Sequence, residues 1–216
     1  MPYPRSMQID VISDTVCPWC FIGKRRLQRA LASRPQFAFD VRWRAYLLDP
    51  DVPRKGIDHK AYMKAKFGDN PRIASIVDAV LSAGEAEHIA FAFDRIERRP
   101  NTIDSHRLIH WAASSGKQAE IVERLFRAYF EEGRDIGVSA VLAAIARDAG
   151  MDGELVENLL AQDADRELVE QEDAQANRMG VSGVPTFIFA NKYMISGAHD
   201  AETIAQIIDK AGADTM

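Results

Sequence analysis

Apolar and polar residues alternate in two stretches near the start of the chain. Met7, Ile9 and Val11 alternate with Gln8 and Asp10, and apolar residues recur at every second position from Phe37 to Ala45. A period of two is typical of β-strands. Between these stretches, a helix ending before Pro35 is predicted by the spacing of Phe21, Leu27, Ala30 and Leu31. The order strand, helix, strand predicts two parallel strands joined by a crossover.

Gly23 lies inside this first predicted helix. Glycine costs up to about 1 kcal/mol relative to alanine in a helix interior. Its presence therefore predicts either a kink or a close approach by another part of the chain.

The middle of the chain, from about Asp58 to Met179, has mainly helical spacing of its apolar residues. The stripes predict helices that pack on one another. The stripe residues are Ile73, Ile76, Val77, Val80, Leu81, Leu108, Trp111, Ala112, Ile121, Val122, Leu125, Phe126, Tyr129, Phe130, Val138, Val141, Leu142, Ile145, Leu155, Leu159, Leu160, Leu168 and Val169. The segment from Ile89 to Pro100 fits neither pattern clearly.

Strand character returns after Gly180. Thr186 to Ala190 and Tyr193 to Ile195 are predicted as paired strands around a tight turn at Asn191 and Lys192. A last helix is predicted by Ile204, Ile207, Ile208 and Ala211. The sequence thus predicts an α/β domain made from residues 1–55 and 180–216, with an all-helical insertion at 56–179.

Composition and charge narrow the class of protein. The 216 residues are 47% hydrophobic and 27% charged, and the net charge of −5 argues against a nucleic-acid partner. The first six residues lack the apolar run of a secretory signal, and no stretch approaches the ~18 apolar residues of a membrane span. We therefore expect a soluble cytoplasmic protein, a setting in which paired cysteines are more often catalytic than structural.

The only two cysteines, Cys17 and Cys20, lie between the first strand and the first helix. At this spacing on a helix their Cβ atoms are about 5–6 Å apart, close to what a disulfide requires. A disulfide closing so short a loop adds little stability, which favours a redox role. The helix N-terminus favours a thiolate, so Cys17 is predicted as the nucleophile and Cys20 as the resolving thiol.

Two other roles are open for these cysteines, a zinc half-site and a pair of structural thiols. Zinc needs further ligands at matching spacing. The chain has no other cysteine, and its five histidines form no finger pattern. We therefore expect redox chemistry with no metal.

Several stretches together resemble a known family. Ser13 to Lys24 with the sequence SDTVCPWCFIGK, Asn101 to Leu108, Leu125 to Phe130, Gly180 to Phe187 with the sequence GVSGVPTF, and Ile195 to Ala198 carry the resemblance. They are similar to the DsbA-like proteins of the thioredoxin fold, and in particular to the FrnE-like branch without a signal. The same group includes 2-hydroxychromene-2-carboxylate isomerases and kappa-class glutathione transferases.

The resemblance implies a thioredoxin-like fold and a set of site residues. Pro185 would be a cis-proline facing an exposed Cys17, and the backbone of Val184 would pair with an extended substrate segment. Asn101 and His106 would line the cleft over the thiols from the insertion. Pro18 and Trp19, between the cysteines, belong with these substrate-binding positions.

The predicted function is thiol–disulfide oxidoreductase or dithiol–disulfide isomerase, acting on protein or peptide thiols and disulfides. No cofactor is required, although glutathione could recycle the pair. One alternative is a glutathione-dependent isomerase or transferase of small aromatic compounds, which commonly has serine in place of the first cysteine. Another is a chaperone-like binding module with vestigial thiols. The broad apolar helices could also support a homodimer.

Overall fold

The computed structural model describes residues 5–68 and 70–214. The prediction that no secretory signal is present concerns Met1 to Ser6, most of which lies outside the described residues. The outer limits of the predicted α/β domain, residues 1 and 216, lie outside them as well.

Helices and strands follow one another in three parts. The first contains β1 (Arg5–Ser13), α1 (Pro18–Ala32) and β2 (Phe37–Ala45). The second contains β3 (Ile57–Asp58), α2 (His59–Phe67), α3 (Arg72–Ala86), β4 (Arg98–Arg99), α4 (Ile103–Ala112), α5 (Gln118–Phe130), α6 (Ser139–Asp148), α7 (Gly153–Ala161) and α8 (Arg166–Arg178). The third contains β5 (Thr186–Phe189), β6 (Tyr193–Ser196) and α9 (Ala201–Ala213).

Both ends of the chain contribute to one four-stranded sheet. Its strand order is β2-β1-β5-β6. β1 pairs in parallel with β2, as the strand–helix–strand order predicts, and antiparallel with β5, which in turn pairs antiparallel with β6. β1 therefore has one neighbour from each end of the chain, and the start of α1 lies at its carboxyl end.

One face of the sheet forms the core beneath α1 and α9. Ile9 pairs with Phe189 and Val11 with Phe187, and all four side chains are buried. The alternation in β1 thus places Met7, Ile9 and Val11 on one face of the sheet, in the main core. Each such side chain contributes about 1.5–3 kcal/mol through burial.

The segment between β2 and β5 is mainly helical, as predicted. A two-residue ladder, Ile57 opposite Arg99 and Asp58 opposite Arg98, departs from the all-helical expectation. Strands of two residues are too short to give an alternating pattern. The limits of 56–179 for this insertion stay a prediction.

Aromatic packing joins the insertion to α1. The Phe21 ring stacks on Phe126 of α5 with the ring centroids 5.1 Å apart, and it meets Phe91 edge-on at 6.2 Å. Phe21 directly follows Cys20, so this contact holds the start of α1 against the insertion.

Candidate active site

Cys17 occupies the N-cap position of α1, and Pro18 is the first helical residue. Proline suits this position because its missing N–H would have no partner there. No side chain caps this helix end, and no acidic residue lies in its first turn. Cys17 therefore lies at a helix N-terminus, as the sequence predicts.

Both cysteines are free thiols, and both are buried. Cys20 is 1% exposed and Cys17 is 5% exposed, so the expectation of an exposed Cys17 is wrong. Burial is the main cause that raises the pKa of the Cys20 thiol well above its usual value, and the Cys17 sulfur adds to it. Cys20 is therefore a thiol, not a thiolate, at neutral pH.

The loop before β5 covers Cys17. Its Val184–Pro185 peptide bond is cis, and the Cys17 thiol donates to the Val184 carbonyl with a sulfur–oxygen distance of 3.5 Å. This contact covers one side of the Cys17 sulfur, which also belongs to the main buried core. The partly exposed Pro18, Trp19 and Val184 surround the same point, which places three of the predicted substrate-binding residues together.

Gly23 allows α1 to approach this loop closely. A Cβ atom on Gly23 would lie 2.8 Å from Cγ of Pro185 and 3.2 Å from Cζ of Phe187. Ordinary carbon contacts are about 3.5–4.0 Å. The close approach that the sequence predicts at Gly23 is confirmed, and its partner is Pro185, which follows the residue whose carbonyl contacts the Cys17 sulfur.

Asn101 and His106 do not face an open cleft as expected. The Asn101 amide donates to the Val52 carbonyl at 2.7 Å and accepts from the Ile103 amide at 3.1 Å. Both of its polar groups are therefore used within the chain. His106 is 3% exposed and turned toward the carboxylate of Asp14.

Asp14 is a site residue that the sequence analysis did not single out. Its backbone carbonyl accepts from the Cys17 amide at 3.1 Å, and its Oδ2 accepts from the Leu48 amide at 2.9 Å. Its Oδ1 lies 3.5 Å from Nε2 of His106. An acidic residue directly after an apolar strand and just before Cys17 was the available signal, but its partner lies far away in the sequence.

Two further contacts fix the backbone that leads into Cys17. The Arg99 guanidinium donates to the Val16 carbonyl at 3.2 Å. The hydroxyls of Thr15 and Ser105 are hydrogen-bonded at 2.8 Å. The insertion therefore holds Thr15 and Val16, the two residues before Cys17, through α4 and β4.

This arrangement is suited to thiol–disulfide exchange, because a cysteine at a helix end stands beside a second thiol that can displace a bound sulfur. Among the described residues, no three histidine, cysteine, aspartate or glutamate side chains gather as a metal would require. Within residues 5–68 and 70–214, no helix has both the length and the hydropathy of a membrane span.

Known proteins resemble this chain over nearly its whole length. The chain is 26% identical over 207 residues to the uncharacterized protein YwbO of Bacillus subtilis, covering 94% of this chain and 96% of that protein. It is similar to the crystal structure of a probable DsbA oxidoreductase of Streptomyces coelicolor, with 30% identity, a TM-score of 0.87, and coverage of 96% and 90% of the two chains.

A more distant structure shares the fold. This is the cytosolic disulfide reductase DsbM of Pseudomonas aeruginosa with GSH, which has 19% identity and a TM-score of 0.65 over 96% of each chain. The DSBA-like thioredoxin domain model matches residues 8–209. The predicted α/β fold with a helical insertion is thereby confirmed, and the chain belongs to the DSBA-like thioredoxin domain family.

Proposed function

We propose that this protein is a thiol–disulfide oxidoreductase that uses Cys17 as nucleophile and Cys20 as resolving thiol. The Cys17 thiolate attacks a substrate disulfide, forms a mixed disulfide and releases the first substrate thiol. Cys20 then attacks Cys17, closes the protein disulfide and releases the second thiol. Run in reverse, the same steps oxidise a substrate dithiol.

The observation that carries this proposal is the position of Cys17 between a helix N-terminus and the Val184–Pro185 loop. The helix end stabilises a thiolate, and the carbonyl of Val184 is 3.5 Å from the sulfur. When a substrate strand binds beside this loop, its sulfur is brought to Cys17. Membership of the family supports oxidoreductase activity in general.

Serine substitutions of the two cysteines test the proposal. We expect Cys17→Ser to abolish turnover of a disulfide-bonded peptide, because the attacking sulfur is gone. We expect Cys20→Ser to accumulate a mixed disulfide between Cys17 and the peptide, detected as an added mass that dithiothreitol removes. Equal and substantial turnover by both variants would refute the assignment.

The direction of the reaction is decided by the reduction potential of the Cys17–Cys20 pair. A value near −270 mV, about that of thioredoxin, favours a reductase, and a value near −120 mV, about that of DsbA, favours an oxidant. We propose protein or peptide disulfides as substrates and glutathione as the thiol that recycles the pair in the cytoplasm. The bound GSH in the DsbM structure supports the second point by analogy of fold.

The alternative of a glutathione-dependent isomerase or transferase makes a different prediction. Such an enzyme would need glutathione bound at the site and would retain its activity in Cys20→Ser. The presence of both cysteines favours the dithiol reaction. Neither the chaperone-like alternative nor the homodimer has a specific observation in its favour, and both stay predictions from sequence.

A further inference from the structure

The segment from Arg54 to Lys66 is basic, although the chain as a whole is acidic. It has five lysine and arginine side chains and one carboxylate, that of Asp58, whereas the whole chain has a net charge of −5. We call its five cationic residues, all of which are exposed, the basic patch: Arg54, Lys55, Lys60, Lys64 and Lys66. The patch is therefore a positive surface on a protein that is otherwise more negative than its net charge indicates.

Three lysines of the basic patch have no counter-charge. Arg54 and Lys66 each form an ion pair with an aspartate. Within the part of the chain that the structure describes, the ammonium groups of Lys55, Lys60 and Lys64 take part in no ion pair. Their charge is therefore available to a partner outside the chain.

The placement of Lys60 and Lys64 lowers the stability of their own helix. They lie four positions apart on α2, and like charges at this spacing destabilise a helix by about 0.2–0.5 kcal/mol. Lys60 is also in the first turn, where the helix dipole disfavours a cation, and no acidic residue lies in that turn to compensate. None of the side chains of α2 is buried. Since neither packing nor pairing with a described residue explains these two lysines, they are suited to a ligand.

Polar contacts hold α2 beside the CPWC segment. The Tyr62 hydroxyl donates to Asp49 at 2.7 Å, and the Arg99 guanidinium lies over the Tyr62 ring, 4.7 Å from its centroid. The same guanidinium donates at 3.2 Å to the carbonyl of Val16, the residue before Cys17. Two side chains therefore connect α2 to the backbone at Cys17, so a segment bound along α2 lies next to the cysteine site.

The spacing of the two lysines indicates the form of the ligand. Four helical residues rise about 6 Å along the axis, and every second residue of an extended chain is about 6.6 Å apart. Two carboxylates at alternate positions of an extended peptide therefore match Lys60 and Lys64. The substrate strand proposed to bind beside the Val184 loop is extended as well, so one continuous segment can meet both surfaces.

We propose that the basic patch is a docking surface for acidic protein substrates. An extended segment with carboxylates at alternate positions binds Lys60 and Lys64 while its disulfide reaches Cys17. This inference rests on the proposed function and adds the class of disulfide that the site prefers. The attraction raises the rate of encounter as well as the affinity, and it is screened by salt because both lysines are exposed.

Two disulfide-bonded peptides that differ at two positions test the proposal. One has glutamate at alternate positions beside its cysteine, and the other has glutamine there. In Cys17→Ser protein, where no exchange occurs, we expect fluorescence anisotropy to show about fivefold tighter binding of the glutamate peptide at low salt. Turnover by the wild-type protein should show the same factor in KM with an unchanged kcat, because the attraction acts on binding. Both differences should shrink as salt is raised from about 20 mM to about 300 mM.

The double variant Lys60→Gln/Lys64→Gln should lose the preference for the glutamate peptide. It removes a repulsion from α2 and no internal contact, so the fold is kept and lost binding does not come from unfolding. The matched control is Lys192→Gln/Lys210→Gln, which removes the same charge beside the Tyr193 ring, where the two ammonium groups lie 5.3 and 5.0 Å from the centroid. That ring belongs to β6, on the far edge of the sheet from β2, and the control should keep the preference.

Three results would overturn the inference. The first is equal affinity for the two peptides at low salt. The second is a preference that survives Lys60→Gln/Lys64→Gln. The third is a preference that the control variant loses to the same extent, since net charge alone would then be its cause. Selective binding of the glutamate peptide without turnover of either peptide would support the docking surface and refute the proposed function, so the two failures are distinguished.

Discussion

Replacement of Gly23 by alanine tests how tightly the α1 helix controls Pro185, the residue after the Val184 carbonyl that contacts Cys17. The added methyl would lie 2.8 Å from Cγ of Pro185 and 3.2 Å from Cζ of Phe187. To regain ordinary contacts of about 3.5–4.0 Å, Pro185 must move by roughly 1 Å relative to the helix.

Two effects of opposite sign set the stability of Gly23→Ala. Alanine in place of a helix-interior glycine gains about 1 kcal/mol, while overpacking of a close contact costs about 1–3 kcal/mol. The balance is a net loss of about 1 kcal/mol in the free energy of unfolding. The effect on activity is larger, because a shift of about 1 Å in a reacting site can cost about 100-fold in rate.

Two measurements are therefore needed, one of stability and one of activity. Urea denaturation gives the free energy of unfolding, and turnover of a disulfide-bonded peptide gives kcat/KM. The control is Gly183→Ala, which adds the same methyl group to the loop before Pro185 at a point with no atom within 4 Å. A Gly23→Ala protein that is more stable than wild type and keeps full kcat/KM would refute the reasoning.

Two buried polar contacts give further predictions. Glu123→Gln removes the counter-charge of Lys24, which is 2% exposed and 2.7 Å from the carboxylate, and we expect a loss of about 2 kcal/mol in urea denaturation. Because burial lowers the pKa of Lys24 in the folded protein, stability should rise with pH between that lowered pKa and the ordinary lysine value, and more steeply in this variant. The control Glu170→Gln breaks an exposed pair with Arg166 and should change neither the stability nor its pH dependence. Thr15→Val breaks the buried hydroxyl contact with Ser105 and should cost about 1–3 kcal/mol, whereas an unchanged denaturation midpoint would contradict this.

The parts of the fold with a regular pattern were predictable from sequence. The alternation from Phe37 to Ala45 predicts β2, and the strand–helix–strand order predicts its parallel pairing with β1. The CPWC position directly after β1 places Cys17 at the start of α1, where the structure has it as the N-cap. The two-residue strands β3 and β4 were missed, because so short a segment has no period.

The candidate site was predictable only where the signal is local. The Cys17–Cys20 pair and the proline before β5 are marked by neighbouring residues. No neighbouring residue marks the partners of Asp14 and Thr15, because His106 and Ser105 reach them from a helix distant in the sequence. Nothing in the sequence says which polar residue of that helix faces the interior. For the same reason Asn101 and His106 were placed at the cleft surface when both are buried.

The strand order has a consequence for how the protein is made. β1 and the CPWC segment are synthesised before β5 and the loop that covers Cys17, with the whole helical segment between them. Contacts between such distant segments form late, because a long loop must close first. An emerging chain therefore carries Cys17 before it carries the Val184 carbonyl that contacts its sulfur. We expect a nascent chain arrested before residue 180 to react with a thiol-alkylating reagent much faster than the finished protein.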